Sequence, residues 1–181
     1  MANEFGVTPT SPSFQTPSPQ APSLQAPSLQ TLGCEASVFQ TQRRVEFRDT
    51  DAAGIVHFSA FFVYMEQAEH ELLRSLGLSV AVRDEEGEIG WPRIAASCEF
   101  LHPARFEEIL DVKVAIARLG RKSVTYDVRF ACGGTPVARG TMTSVCCRIR
   151  PGQPPEAIEI PEAFAQKLRS LGRVDEAVFV V

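Results

Sequence analysis

One long amphipathic helix, in a chain otherwise rich in strand-like runs, restricts the possible folds more than any other feature of the sequence. Within "SAFFVYMEQAEHELLRSLG", residues 59–77, apolar side chains recur every three or four positions, which is the spacing of one helix face. These side chains are Phe61, Met65, Ala68, Leu72 and Leu76. Ser59 is the predicted N-cap and Gly77 the predicted stop. The pattern predicts about five helical turns with one face to bury.

The runs around this helix are typical of β-strands. They are "VFQTQRRVEF" before it and "PRIAASCEFL", "EILDVKVAIARL", "KSVTYDVRFAC" and "PVARGTMTSVCCRI" after it. "IPEAFAQKLRSLG" is expected to close the domain with a short helix. Because so few helices are available, the long one must bury its apolar face against the sheet. The expected class is therefore α+β, with an antiparallel sheet of about five strands wrapped around one long central helix.

Composition predicts where the folded domain begins and ends, and it argues against some classes of binding partner. Residues 1–35 contain a repeated Pro/Ser/Gln pattern and are expected to be a disordered tail, residues 36–173 the folded domain, and residues 174–181 a C-terminal tail. The chain has 18 basic and 22 acidic residues and a net charge of −4, which argues against nucleic-acid and membrane partners. Neither a membrane span nor a secretory signal is recognisable, so a cytoplasmic location is expected.

The stretch "FRDTDAAGIVHFS", residues 47–59, carries the strongest chemical signal. It leads from a strand into the long helix, whose first backbone N–H groups have no intrahelical acceptor and can hold negative charge. An ordinary aspartate is ionised at neutral pH, so Asp51 is available as a nucleophile or general base. A carboxylate beside a helix N-terminus suits acyl transfer, and it needs no cofactor and no metal.

Three other roles come into question for the two aspartates. Asp49 and Asp51 can serve simply as turn and cap residues. A calcium loop is excluded because Ala53 and Ala60 occupy positions where ligands belong. A metal-binding Asp-x-Asp pair of a glycosyltransferase is disfavoured, because the chain shows no nucleotide-binding βαβ series.

"VEFRDTDAAGIVHFSAFFVYMEQA", together with "WPRIAASCEFLHPARFEEILDVKVAIARLGRKSVTYDV" and "AIEIPEAF", resembles the hotdog-fold acyl-CoA thioesterases of the 4-hydroxybenzoyl-CoA thioesterase type. The resemblance implies that Asp51 is the catalytic carboxylate, that the Phe58 backbone N–H polarises the thioester carbonyl, and that Gly54 allows close backbone approach. It also implies that the CoA phosphates bind basic side chains. The candidates are Arg121 and Lys122 in "LGRKS", followed by Arg148 and Arg150.

The same resemblance implies a homodimer or homotetramer with acyl-CoA as its ligand. The acyl group is open between aromatic groups, such as 4-hydroxybenzoyl or 1,4-dihydroxy-2-naphthoyl, and short aliphatic ones. His57 is a candidate acyl-pocket residue, auxiliary base or packed imidazole. With Asp51 in place, Glu66, Glu69 and Glu71 are interpreted as helix surface rather than as helix-borne catalytic carboxylates. The alternatives are a dehydratase acting on 3-hydroxyacyl thioesters through His57 and Glu71, and a non-catalytic acyl-CoA-binding protein.

Overall fold

The computed structural model of the chain describes residues 38–171, which form two antiparallel sheets and two α-helices. The strands are β1 (Phe39–Arg44), β2 (Val82–Asp84), β3 (Gly87–Gly90), β4 (Arg93–Phe100), β5 (Ile109–Leu119), β6 (Ser123–Cys132), β7 (Thr135–Val145), β8 (Cys147–Ile149) and β9 (Glu156–Ala157). The helices are α1 (Phe58–Ser75) and α2 (Glu162–Arg169), and a 3-10 turn spans Phe47–Asp49. The tails expected at residues 1–35 and 174–181 lie outside the described residues.

The larger sheet has the strand order β1-β5-β6-β7-β4, with every neighbouring pair antiparallel. Its strands bury one face, as the alternation along β6 shows: every second side chain from Val124 to Phe130 is buried and those between are less so. The side chains of this buried face belong to the same hydrophobic core as those of α1. The α+β class expected from the sequence is therefore confirmed.

Helix α1 packs its apolar stripe against the larger sheet. The Phe61 ring lies 5.3 Å from that of Phe130 in β6, and Met65 lies directly over Gly140 in β7. The predicted stop is confirmed, since Leu76 is the C-cap and Gly77 follows with φ +64°. The predicted N-cap was wrong: the helix begins at Phe58, and His57 caps it with a side chain that accepts from the Ser59 N–H.

The strand count differs from the expected five because the described residues also contain a smaller sheet, ordered β2-β3-β8-β9. Its first hairpin, residues 82–90, is short and acidic and carries little hydrophobic alternation for a sequence pattern to show. Its third strand, β8, was expected to continue β7, but the run is interrupted at Cys146, whose N–H donates instead to the Lys122 carbonyl. Within the described residues, neither helix has the length and apolarity needed to span a membrane.

Candidate active site

A tight loop of residues 50–57 connects the 3-10 turn to α1 and presents Asp51. The Asp51 N–H donates to the Ile55 carbonyl at 2.9 Å, and the Gly54 N–H donates to the Asp51 carbonyl at 3.0 Å. Gly54 has φ +72°, and a Cβ there would meet no atom within 4 Å. Glycine is therefore required by the left-handed backbone rather than by crowding, and the space above the loop stays open.

The Asp51 carboxylate is half-buried and accepts one hydrogen bond within the described residues. Its Oδ1 accepts a hydrogen bond from the Ala53 N–H at 2.8 Å, an arrangement that aspartate often forms in turns. No other partner of this carboxylate occurs among residues 38–171. One carboxylate oxygen therefore holds the turn, and the other is available to a ligand.

The Asp49 carboxylate, two residues earlier, is by contrast held by two hydrogen bonds. Its Oδ2 accepts hydrogen bonds from the Glu46 N–H at 3.0 Å and from the Tyr64 hydroxyl at 2.7 Å. Its backbone carbonyl accepts from the His57 N–H at 2.8 Å. Burial raises the pKa of Tyr64, and the hydrogen bond to Asp49 raises it further. Asp49 thus ties the turn to α1 and has the structural role that was open for both aspartates.

The start of α1 supplies a hydrogen-bond donor beside this loop. The Phe58 N–H has no acceptor among the described residues, as expected of the first helical position. The capping His57 places Nδ1 2.7 Å from the Ser59 Oγ, and its ring centroid lies 4.5 Å from that of Phe58. His57 is exposed, so in this chain it is a helix cap rather than a packed core imidazole.

Exposed aromatic rings flank the loop. Phe47 is 79% exposed and Phe106 46%, and the two rings meet edge to face at 6.1 Å. A β-bridge between Ile55 and Arg105 holds the Phe106 segment beside the loop. Exposed apolar groups gathered in this way are typical of a ligand or subunit contact.

The predicted CoA-binding cations do not gather around Asp51 within one chain. Arg121 and Lys122 lie in the β5–β6 turn, whereas the Asp51 loop follows β1 at the Ile109 end of β5. Strand β5 has 11 residues, and at about 3.3 Å per residue the two ends are roughly 33 Å apart.

Each of these cations has a polar partner in the structure. Arg121 pairs with Glu159 at 2.6 Å and Arg150 with Glu156 at 2.6 Å, while the Lys122 Nζ donates to the Ala157 carbonyl at 2.9 Å. Arg148 differs from the others because only 5% of its surface is exposed. Its guanidinium binds both Asp84 oxygens, at 2.5 and 3.0 Å, and so holds the β2–β3 hairpin against β8.

A buried carboxylate on α1 was missed by the sequence analysis. The interpretation of Glu69 as helix surface was wrong, since it is 1% exposed. It accepts from Arg93 Nη1 at 2.5 Å, and the same nitrogen donates to Ser144 Oγ at 2.8 Å. Burial raises the pKa of Glu69, while Arg93 partly opposes the shift. The position of Glu69 in the sequence could have indicated its burial. It directly follows Ala68 and lies three residues before Leu72, and both of these belong to the buried stripe of the helix.

The side chains of Glu66 and Glu71 remain partly exposed to solvent. Glu66 has a side chain 55% exposed and lies 3.4 Å from Arg93. Glu71 accepts from the Thr41 hydroxyl at 2.6 Å and pairs with Arg43 at 2.9 Å. Glu71 is thus bound to β1, and about 21 Å of helix axis, 14 residues at 1.5 Å each, separates it from His57 in the same chain.

The sequence of the chain is similar to those of known acyl-CoA thioesterases. The chain is similar to a 1,4-dihydroxy-2-naphthoyl-CoA hydrolase of Synechocystis sp. (strain ATCC 27184 / PCC 6803 / Kazusa), 30% identical over 110 residues, 60% of this chain and 80% of the relative. It is also similar to the 4-hydroxybenzoyl-CoA thioesterase of Pseudomonas sp. (strain CBS-3), 30% identical over 84 residues, 45% of this chain and 60% of the relative.

The fold of the chain is also similar to that of a solved thioesterase structure. A gentisyl-coenzyme A thioesterase superimposes with a TM-score of 0.62 at 28% identity, over 72% of this chain and 99% of its own. The model of the family described as the thioesterase-like superfamily matches residues 45–168. The chain therefore belongs to the thioesterase-like superfamily.

Proposed function

We propose that this protein hydrolyses acyl-CoA thioesters at the loop that carries Asp51. The observation on which the proposal rests is that one Asp51 carboxylate oxygen and the Phe58 N–H at the start of α1 both lack a partner among residues 38–171. The thioester carbonyl oxygen accepts from the Phe58 N–H, which polarises the carbonyl and stabilises the oxyanion. No metal or cofactor is needed for this reaction.

Two routes lead from that complex to the products. In the first, an Asp51 oxygen attacks the carbonyl carbon, the C–S bond breaks, CoA leaves as the thiolate, and water then hydrolyses the acyl-aspartate anhydride. In the second, Asp51 takes a proton from a water molecule as the water oxygen attacks the same carbon; the C–S bond then breaks, and the CoA thiolate leaves and receives that proton. Both routes end with a free acid and CoA.

The substrate we propose is an aromatic acyl-CoA. The exposed rings of Phe47 and Phe106 offer an apolar surface beside the loop, and aromatic pairs of this kind accept a third ring in edge or offset contact. The named relatives that act on 4-hydroxybenzoyl-CoA and 1,4-dihydroxy-2-naphthoyl-CoA support the same class. A short-chain aliphatic thioester would leave this aromatic surface largely unused.

We infer that the working unit is at least a homodimer, either alone or within a homotetramer. Strand β4 pairs with β7 on one side, and no strand among residues 38–171 pairs with its other side. Its side chains from Ile94 to Ser97 are all exposed, so both faces of the strand lack cover. An unpaired edge of this kind is a template for another strand. A second copy would also explain how Arg121 and Lys122 serve a site from which they are far removed in their own chain.

The proposal is tested by comparing wild type with Asp51→Asn on aromatic and aliphatic acyl-CoA thioesters, measuring CoA release. The asparagine Oδ1 can still accept from the Ala53 N–H, so the loop should persist while the base or nucleophile is lost. We expect kcat to fall about 10²- to 10⁴-fold. Asp111→Asn is the matched control, because this exposed aspartate accepts a hydrogen bond from the Gln42 side chain and lies outside the loop.

The outcomes separate the candidate functions. Undiminished turnover by Asp51→Asn would overturn the mechanism, and hydrolysis restricted to aliphatic thioesters would overturn the substrate class. If wild type binds acyl-CoA but hydrolyses none of the panel, the non-catalytic alternative holds. Mass spectrometry of rapidly quenched enzyme then distinguishes the two routes, because only the first leaves an acyl group on the peptide that contains Asp51.

A further inference from the structure

A cavity of about 420 Å³ lies at the other end of α1 from the Asp51 loop. It is open to solvent on one side and is bordered by the segment after α1, by β2 and β3, and by α2. Its main lining residues are Leu78, Val82, Ile89, Trp91, Phe164 and Lys167. Helix α1 has 18 residues, which at 1.5 Å each place the cavity roughly 27 Å along the helix from Phe58. The cavity is therefore separate from the catalytic loop of the same chain.

The lining has the composition of a small-molecule site. Cavities of about 300 to 1,000 Å³ that are mainly apolar and contain a few polar groups are the usual form of such sites. Here the apolar part includes a stacked pair, Trp91 on Phe164, with ring centroids 4.6 Å apart. This stack forms a rigid, flat surface against which an apolar ring can pack.

The polar groups of the cavity lining include the Lys167 ammonium and the Ser79 hydroxyl. The Lys167 Nζ reaches the Gly77 carbonyl at 3.3 Å and forms no ion pair with a carboxylate among the described residues. The Trp91 Nε1 is buried and has no acceptor among them either. A buried N–H without an acceptor is costly, and an ammonium without a counter-ion at the rim attracts negative charge. A ligand carboxylate at the rim would supply a counter-ion for the Lys167 ammonium.

We propose that this cavity binds a small aromatic monocarboxylate, with its ring against the Trp91–Phe164 stack and its carboxylate on Lys167. Such a compound belongs to the class of acid that hydrolysis of an aromatic acyl-CoA releases. The binding itself does not rest on the proposed chemistry of Asp51, since the cavity shares no residue with the loop. A retained product acid is the natural occupant under the proposed function.

Trp91 makes the test direct, because it is the only tryptophan in the chain. Its fluorescence, checked by titration calorimetry, reports the binding of benzoate and of benzamide, which share a ring but differ in charge. We expect wild type to bind benzoate about tenfold or more tightly than benzamide, because a charged hydrogen bond is lost with the amide. We expect Lys167→Met to remove this preference, and Lys113→Met, a change of a lysine in β5 outside the cavity lining, to retain it.

A second variant is needed because Lys167 also donates to the Gly77 carbonyl at the end of α1, so its replacement could act through the helix end alone. Ala163 lines the cavity and is exposed, so Ala163→Phe should fill the space without disturbing the core and should abolish binding of both probes. Asp51→Asn should bind benzoate as wild type does, whether or not it hydrolyses thioesters. The proposal is overturned if neither probe binds wild type, if Lys167→Met keeps the charge preference, or if Asp51→Asn loses benzoate binding.

Discussion

The hydrogen bond between Asp49 and Tyr64 should be a main anchor of the catalytic loop, and its contribution can be measured. The Tyr64 hydroxyl donates to Asp49 Oδ2 at 2.7 Å, and Tyr64 is 4% exposed. A hydrogen bond to a charged group in such surroundings contributes about 1.5–3 kcal/mol to the free energy of unfolding. We therefore expect Tyr64→Phe to lower that free energy by about this amount, since the ring still fills its site.

Asp49→Asn should cost about the same, because a neutral amide oxygen in the place of Oδ2 accepts the hydrogen bonds from Tyr64 and Glu46 more weakly than a charged carboxylate oxygen. The decisive assay is a double-mutant cycle, with urea unfolding followed by far-UV circular dichroism. We expect the double variant to be only slightly less stable than either single one, which corresponds to a coupling of about 1–2 kcal/mol. Single effects that add to within about 0.5 kcal/mol would refute the reasoning.

The pKa of Tyr64 gives the same prediction a second measurement. Because burial and Asp49 raise the pKa of Tyr64 in the folded protein, the tyrosine stabilises the fold fully below its ordinary pKa of 10.0. This stabilisation is lost as the pH rises above that value. Wild type should therefore lose stability more steeply than Tyr64→Phe in alkaline solution, and parallel profiles would contradict the assignment.

Three further predictions concern the core and the sheet edge. Burial raises the pKa of Glu69 above its ordinary value of 4.5, so wild type should lose stability relative to Glu69→Gln as the pH rises above 4.5. The loss should be about 1.4 kcal/mol for each unit by which the pKa is raised. Urea unfolding at several pH values would measure the difference between the two proteins, and a difference that does not change with pH would contradict the prediction. Gly140→Ala should destabilise by about 1–3 kcal/mol in thermal unfolding, because its Cβ would overlap Met65 Sδ and lie 2.7 Å from the Ser97 carbonyl; an unchanged midpoint would show that the helix is not seated on β7. Ile94→Glu should lower the molar mass measured by light scattering and reduce kcat, and an unchanged mass would exclude the β4 edge as the contact.

The features that could be predicted from sequence are those that depend on neighbouring positions. The apolar stripe of α1, its stop at Gly77 and the loop around Asp51 each lie within a short stretch, and short-range geometry decides them. The smaller sheet could not be predicted in this way. Its hairpin is held by the pairing of Arg148 with Asp84, residues 64 positions apart, so no local pattern contains the reason for its strands.

Glu69 shows the same limit within a single helix. A charged residue on an apolar stripe is normally assigned to the surface, because burying an unpaired carboxylate is prohibitively costly. Here Arg93, 24 positions later, partly offsets that cost by reaching back from the first residue of β4. The burial of the carboxylate is thus decided by a strand edge, and that edge is the one we propose as the subunit contact. Formation of the dimer should therefore change the surroundings of Arg93, and the pH dependence assigned to Glu69 should shift in Ile94→Glu; identical pH profiles in the two assembly states would show that this buried pair is independent of the subunit contact.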